Sequence, residues 1–338
     1  KIQRFILTLN LTFLSEIKLH IDQFKSKKIL KSILFNLKID KKLKKEILRN
    51  HFSASTLNSI RIARQVADII IKTDANSIIL TYEGFAWERL VFFYARKVNP
   101  KIQCFGYQHS AFFEHQHSSI RQLTKEYDPD VIFTSGEISQ SLFEKSLLKG
   151  INLACIGSPK HIHSNKITDS DNDFCLVIPE GFISECLILF EFCLNYAKKY
   201  KNQKFILRLH PLISFDKLRS QSTYFLNIPS NIYLSDKSLE EDISKCNSVI
   251  YRGSSAVLNA IHSGLKPIYY KYRSEELSID PIFQCTKGKF IVENEKELSN
   301  ALCTNINLKT KQNLQKFAKS FYTPLSVNPL LKTLIKSN

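Results

Sequence analysis

The chain has 338 residues, 43% of them apolar and 23% charged, a composition that fits a globular protein with a sizeable core and excludes a disordered or fibrous one. Lysine and arginine number 48 against 31 aspartates and glutamates, for a formal net charge of +17. No apolar run reaches the roughly 18 residues that a membrane-spanning helix needs, and the length is comfortable for two domains.

The apolar stretch from Phe5 to Leu14 is interrupted by Asn10 and followed by Glu16 and Lys18, with no small-residue cleavage site. It does not read as a signal peptide, and the chain reads as cytoplasmic. No methionine occurs, even at position 1. The sequence therefore reads as an excised fragment, or as one from which methionines have been dropped, with some spacings short by one.

Residues 1–75 read as mainly helical, because Leu30, Ile33, Leu34 and Leu37, then Ile60, Ala63, Val66, Ala67 and Ile70, recur at helical spacing. An alternation of short apolar runs and helical segments follows. Strands are expected at Ser77–Tyr82, Lys101–Gly106, Val131–Thr134 and Ala154–Ile156, with a helix over about 86–97 that Asn99-Pro100 ends. The polar stretch 164–173 reads as a linker; it holds D-x-D twice, which a solvated turn explains as well as a metal site. The rhythm then restarts, with strands at Phe174–Ile178, Lys204–Leu209, Asn231–Leu234, Ser248–Tyr251 and Lys266–Tyr270. Helices are expected over 184–200 and 255–262, the second with Gly264 as its cap. Two α/β lobes result, 1–165 with the extra N-terminal helices and 173–325, whose tail can pack back on the first. In such parallel sheets ligands sit at the carboxyl ends of the strands.

The eight cysteines form no C-x-x-C pair, which leaves zinc and redox motifs unsupported and suits buried thiols. His115 and His117 make an H-x-H pair without a visible third ligand, so no metal is expected. P-loop, dinucleotide and serine-hydrolase signatures are absent from the sequence. The basic residues gather before residue 50 (Lys25, Lys27, Lys28, Lys31, then Lys41, Lys42, Lys44, Lys45) and recur near the C-terminus. Compositional bias, an anionic membrane face and nucleic acid each account for that pattern. Nucleic acid ranks lowest, for want of the basic-and-aromatic sheet of an RRM, although such a binder would show steep salt dependence.

Residues able to carry chemistry fall just past expected strands. His210-Pro211 follows one strand, and Arg252-Gly253-Ser254-Ser255 follows another and opens a helix, whose N–H groups and dipole favour a phosphate. Arg208 or Arg252 can add a charge-assisted contact. A turn histidine and a plain helix cap would look the same. Glu83 and Glu180 each follow the first strand of a lobe; His109-Ser110 and the loop Gly157-Ser158-Pro159-Lys160 are further loop candidates, Lys160 for a phosphate or carboxylate. Glu88 and Glu185 fall inside helices and read as surface or capping groups.

His210-Pro211 with Ser254-Ser255 resembles the HP and SS motifs of bacterial CMP-sugar transferases, the sialyltransferases and Kdo transferases. The segment Val177-Ile-Pro-Glu180-Gly-Phe-Ile-Ser-Glu185-Cys looks most like retaining β-Kdo transferases. Tyr82-Glu83-Gly84 with Trp87-Glu88, and Gly106-Tyr-Gln-His109-Ser110, are similar to that group's acceptor-side motifs. The resemblance spans roughly residues 78–270. It implies a GT-B fold, two Rossmann-like domains with parallel sheets facing a cleft. It also implies transfer of Kdo from CMP-β-Kdo to a glycan or glycolipid acceptor in bacterial surface polysaccharide, capsule or lipopolysaccharide, without a metal or other cofactor. The CMP phosphate and nucleotide then lie on His210, Pro211, Gly253, Ser254 and Ser255. Glu180 is implied as nucleophile and Glu83 as acid/base, though these retaining enzymes carry Asp where this chain has Glu180. An inverting sialyltransferase-like enzyme using another CMP-nonulosonate is the alternative, and it needs only a general base.

Overall fold

In the computed structural model of the chain, residues 3–8, 11–116, 118–146, 149–160, 174–273 and 277–328 are described. The expected linker with its D-x-D letters, and His117, lie outside them.

The N-terminal region is helical, as its periodicity indicates: α1 (Phe13–Asn36), α2 (Lys41–Asn50) and α3 (Ala54–Thr73). Each starts on a side chain that accepts a backbone N–H left over at the helix start, Thr12 from Ser15, Asp40 from Lys42 and Leu43, and Ser53 from Thr56. Helix α3 ends at Asp74 in the left-handed conformation and packs on α4 (Ala86–Val98).

The first sheet is parallel throughout, in the order β1-β2-β3-β4. Its strands are β1 (Ser77–Thr81), β2 (Gln103–Gln108), β3 (Val131–Thr134) and β4 (Asn152–Cys155). Cys104 and Ile132 face α4 and α5 (Glu137–Lys145), meeting Phe92, Ala95 and Phe143, while Phe105 and Phe133 stack on the opposite face, 5.5 Å apart. Strand β2 starts two residues later than expected, because the Asn99 side chain takes the Lys101 N–H into a turn. His109 is therefore the first residue past that strand.

The second sheet has β5 (Phe174–Pro179), β6 (Lys204–Leu207), β7 (Ile232–Leu234), β8 (Cys246–Arg252), β9 (Lys266–Tyr270) and β10 (Phe290–Val292). All pair in parallel, in the order β10-β9-β8-β5-β6-β7. Both faces are buried, which is why these strands read as near-continuous apolar runs. Cys175, Val177, Ile250 and Ile268 face α6 (Ile183–Lys199) and α10 (Glu295–Cys303), while the short α7 (Phe215–Arg219) and α8 (Leu239–Ser244) follow β6 and β7. Leu176, Ile178, Val249 and Tyr251 face α9 (Val257–His262) and α11 (Leu308–Phe321). Each valine, leucine and isoleucine so buried stabilises the lobe by about 1.5–3 kcal/mol.

A buried ion pair holds the long β2–β3 connection to α4. Arg89 meets Asp128, both side chains almost fully buried, and also donates to the carbonyls of Gly84, Ser118 and Arg121. Asp128 in turn accepts from the Leu123 N–H. Arg89→Leu leaves that carboxylate buried without its cation, an expected loss of about 3–5 kcal/mol, read as a lower urea midpoint; an unchanged midpoint would contradict the role given to the pair.

Candidate functional site at the carboxyl ends of the two sheets

The loops at the carboxyl ends of both sheets meet. Residues that follow α11 run between them as a strap: the Thr323 N–H donates to the Ser135 carbonyl, the Ser158 N–H to Thr323, and the Ser326 N–H to Ile156. Ser158 and Pro324 form a parallel bridge. Gly157 (φ +80°) lies against the Pro324 carbonyl and Gly136 against Phe321, so closely that neither position has room for a Cβ. Ala111, beyond β2, packs into the core of the second lobe, and Phe283, beyond β9, into that of the first.

In the second lobe, the turns that follow three strands converge. β5 pairs with β8, and the sheet order reverses there, the place where an open parallel sheet forms a crevice. Glu180 follows β5 and Gly253 follows β8 (φ +71°); a Cβ on Gly253 would lie 2.6 Å from Glu180 Oε2. A Cβ on Gly181 would lie 3.2 Å from the ring of His210, beyond β6. The turns bearing His210-Pro211 and Gly253-Ser254-Ser255 are thus joined through Glu180-Gly181. The Leu212 N–H donates to His210 Nδ1 at 3.3 Å, which places the proton of the neutral ring on Nε2. Glu180 is half-buried; burial, and then the neighbouring Glu185 carboxylate, push its pKa up, against the pull of Arg252.

Both arginines are paired with protein carboxylates. Arg252 Nε meets Glu185 at 2.5 Å and its Nη1 the Tyr270 carbonyl, with only 6% of its side chain exposed. Glu185 is therefore neither a surface nor a capping group. Arg208 Nη1 bonds Asp242 at 2.8 Å and the Lys237 carbonyl at 2.5 Å. The helix expected from Ser255 starts only at Val257 and is six residues long; Ser254 Oγ accepts the Ala256 N–H in a turn before it. Ser158, expected as a ligand contact, is instead buried under the strap, and its Oγ takes the Lys160 N–H. Lys160 is exposed, its ammonium 5.9 Å from the Tyr322 ring.

In the first lobe, Glu83 and His109 follow β1 and β2, with His109 Nε2 3.9 Å from Glu83 Oε1. Glu88 holds the backbone of Glu83: its carboxylate accepts the N–H groups of Glu83 and Phe85 at the start of α4. It is a capping group, as expected, and is fully buried. Burial raises its pKa to about 7 despite those N–H bonds, which oppose the rise.

Neither Gly181 nor the Glu185–Arg252 pair is marked as a site feature by the sequence pattern. A glycine directly after a strand-end carboxylate was the available signal for Gly181; the pair joins α6 to β8 and leaves no local trace. A cavity of about 950 Å³ lies elsewhere, at the amino ends of β2, β3 and β4, among Gln103, Val131 and Asn152. It is remote from the strand ends where the candidate residues gather. Among the described residues no group of three His, Cys, Asp or Glu side chains is arranged to hold a metal, and no helix is long and apolar enough to cross a membrane.

The chain is similar over most of its length to solved structures. One is a proposed UDP-N-acetylglucosamine 2-epimerase of Listeria monocytogenes, at 13% identity and TM-score 0.57, covering 85% of this chain and 81% of that one. Another is MurG of Acinetobacter baumannii, at 9% identity and TM-score 0.54, with 84% and 81% covered. The architecture is the GT-B fold. MnaA of S. aureus, solved with UDP, matches at 12% identity and TM-score 0.53 over 84% of this chain and 82% of its own. No protein-family model and no curated protein matches the sequence.

Glu88 gives the GT-B chain a pH signature. A carboxyl whose folded pKa lies above its unfolded value binds its proton more tightly when folded, so its contribution is complete below about 4.5 and is lost as pH rises through about 7. Glu88→Gln should flatten the fall in melting temperature across that window, and an identical slope in both proteins would refute this.

Proposed function

We propose that this chain transfers a sugar from a nucleotide donor, held where β5 meets β8, to a glycan acceptor beside Glu83 and His109. The observation that carries the reading is the junction of Glu180, Gly181, His210 and Gly253 at the point where the strand order reverses. The sugar nucleotide is a co-substrate, and no other cofactor is invoked.

The finer reading is a Kdo transferase acting on CMP-β-Kdo, in the synthesis of a bacterial surface polysaccharide. The His210-Pro211 and Ser254-Ser255 patterns support it, and so does the charge of the site. With Arg208 and Arg252 each tied to a carboxylate, little positive charge is left over, which suits the single phosphate of a CMP leaving group better than a diphosphate. His210 Nε2–H and the N–H groups of the Gly253–Ser255 turn are the proposed donors to that phosphate. In the retaining route, Glu180 attacks the anomeric carbon and CMP leaves with the bonding pair. The acceptor hydroxyl, losing its proton to Glu83, then displaces Glu180. The absence of a side chain at Gly253 leaves the room in which the half-buried Glu180 carboxylate stands. Inverting transfer from another CMP-nonulosonate is the second reading, in which Glu83, steadied by His109, serves as the only base.

A thermal-shift panel of CMP, CDP, UDP and GDP tests the donor. CMP at 100 times its Kd should stabilise by about 2.7 kcal/mol, a rise of roughly 4 °C for a chain of this length, with UDP well behind. A preference for UDP, the nucleotide held by the MnaA structure, would end the CMP reading. In transfer assays, activity should survive EDTA, and mass spectrometry of a mixed-donor reaction should separate Kdo from other nonulosonates. Glu180→Ala should lower kcat by the order of 10³ or more if Glu180 is the nucleophile; full activity in that variant would eliminate the retaining route.

A further inference from the structure

Helix α1 is exposed along one side in a way that the GT-B core does not require. At 3.6 residues per turn, Phe13, Leu14, Ile17, Ile21, Phe24 and Phe35 fall within an arc of about 100°. All six are exposed, Phe13 at 79%, Leu14 at 76% and Phe35 at 85%. Scattered apolar residues on a surface need no explanation, but five of these six within the first 12 residues of the helix, about 18 Å, with Phe35 three turns further on, do.

The charges on α1 are sorted. Both of its acids turn to arginines of α3: Glu16 pairs with Arg61 at 2.9 Å and Asp22 with Arg64 at 3.1 Å. The opposite side of the helix is held by buried Leu19, Gln23 and Leu34, with Gln23 donating to the His51 carbonyl. Lys28 and Lys31 lie inside the apolar arc, and Lys18 and Lys25 border it within about 40°; all four are exposed. The free side therefore presents phenylalanines and cations with no carboxylate of its own helix among them.

We propose that this side of α1 docks the protein on an anionic lipid bilayer, the helix lying in the membrane plane with its phenylalanines below the headgroups and its lysines among the phosphates. Interfacial helices set apolar side chains into the acyl boundary and hold lysines at the phosphates; Lys18 and Lys25 flank the arc, and the long stems of Lys28 and Lys31 carry their ammonium groups out to the headgroups from within it. A second copy of the chain fits poorly, because a twofold pairing of the stripes would bring lysines against lysines with both acids already engaged. The arrangement also bears on the acceptor. Helix α1 rests on α3, α3 packs on α4, and the first turn of α4 holds the Glu83 N–H through Glu88. The docked side is thus that of the lobe proposed to receive the acceptor, which would suit a glycolipid.

Sedimentation of the full chain with vesicles tests this without any sugar donor, so the outcome is independent of the transfer chemistry. Vesicles with about 25% phosphatidylglycerol in phosphatidylcholine should carry down at least tenfold more protein than phosphatidylcholine alone at about 0.1 M salt. Binding should fall at about 1 M, where screening shortens from ~10 Å to ~3 Å. The variant Phe13→Ser/Leu14→Ser/Phe35→Ser should lose at least tenfold, with an unchanged circular dichroism spectrum and melting temperature, since those side chains are exposed. Changing Lys18, Lys25, Lys28 and Lys31 to Glu should abolish binding to the anionic vesicles. The proposal is overturned by equal binding to both vesicle types or to neither, by undiminished binding of the serine variant, or by a dimer in analytical ultracentrifugation that the serine variant dissolves.

Discussion

Six residues of backbone, Phe321 to Ser326, determine how the two sheets stand to each other. They are fixed by main-chain bonds to Ser135, Ile156 and Ser158 and enter between Gly136 and Gly157, where a side chain would collide with them. Bonds of this kind carry no choice of rotamer, so the carboxyl ends of β3 and β4 are pinned to the end of α11, and through the α9–α11 packing to the lobe that holds Glu180. Tyr322 sits in this strap, its phenol pushed up to about 12 by burial, with the Ser255 hydroxyl acting the other way. The strap thus touches the turn that follows β8, and the geometry of the candidate site depends on it.

Within the second lobe the constraint is steric. Gly253 adopts a left-handed conformation and lies against the Glu180 carboxylate, and Gly181 lies against His210. Two positions lacking a Cβ let three strand-end turns close on one another, and the Arg252–Glu185 pair beneath them ties β8 to the first turn of α6. The Glu180 carboxylate lies against the Gly253 backbone, beside the Arg252–Glu185 pair.

Much of this fold was legible in the sequence. Strands such as Phe174–Pro179 and Cys246–Arg252 are buried on both faces, and their unbroken apolar character announces them. The GT-B architecture expected from the motifs is the one found. Strand β10 and helices α10 and α11 were not foreseen, because a three-residue strand and helices whose buried residues are only Leu298 and Ala301, or Leu314, Ala318 and Phe321, carry little periodic signal. At the site, the positions of Glu83, Glu180, His109 and His210 just past strand ends could be read from local pattern. The partners of Arg208, Arg252 and Ser158 could not, since each is supplied by an element far away in the chain. The same holds for the exposure of α1: its apolar residues run all round the helix, and its packing on α2, on the turn at His51-Phe52 and on α3 decides which of them are left outside.

The strap has a consequence for how the molecule comes into being. Cys155 and Thr323, whose side chains touch, are 168 residues apart. A ribosome therefore finishes the first sheet long before it makes the stretch that completes the loops at its edge. Until then, the carbonyls of Ser135 and Ile156 have only water to bond, and the assembled cleft is among the last features to form. Contacts of such long range are slow to close, and because Phe321 and Tyr322 also belong to the core of the second lobe, completing that lobe and fastening it to the first are one and the same event.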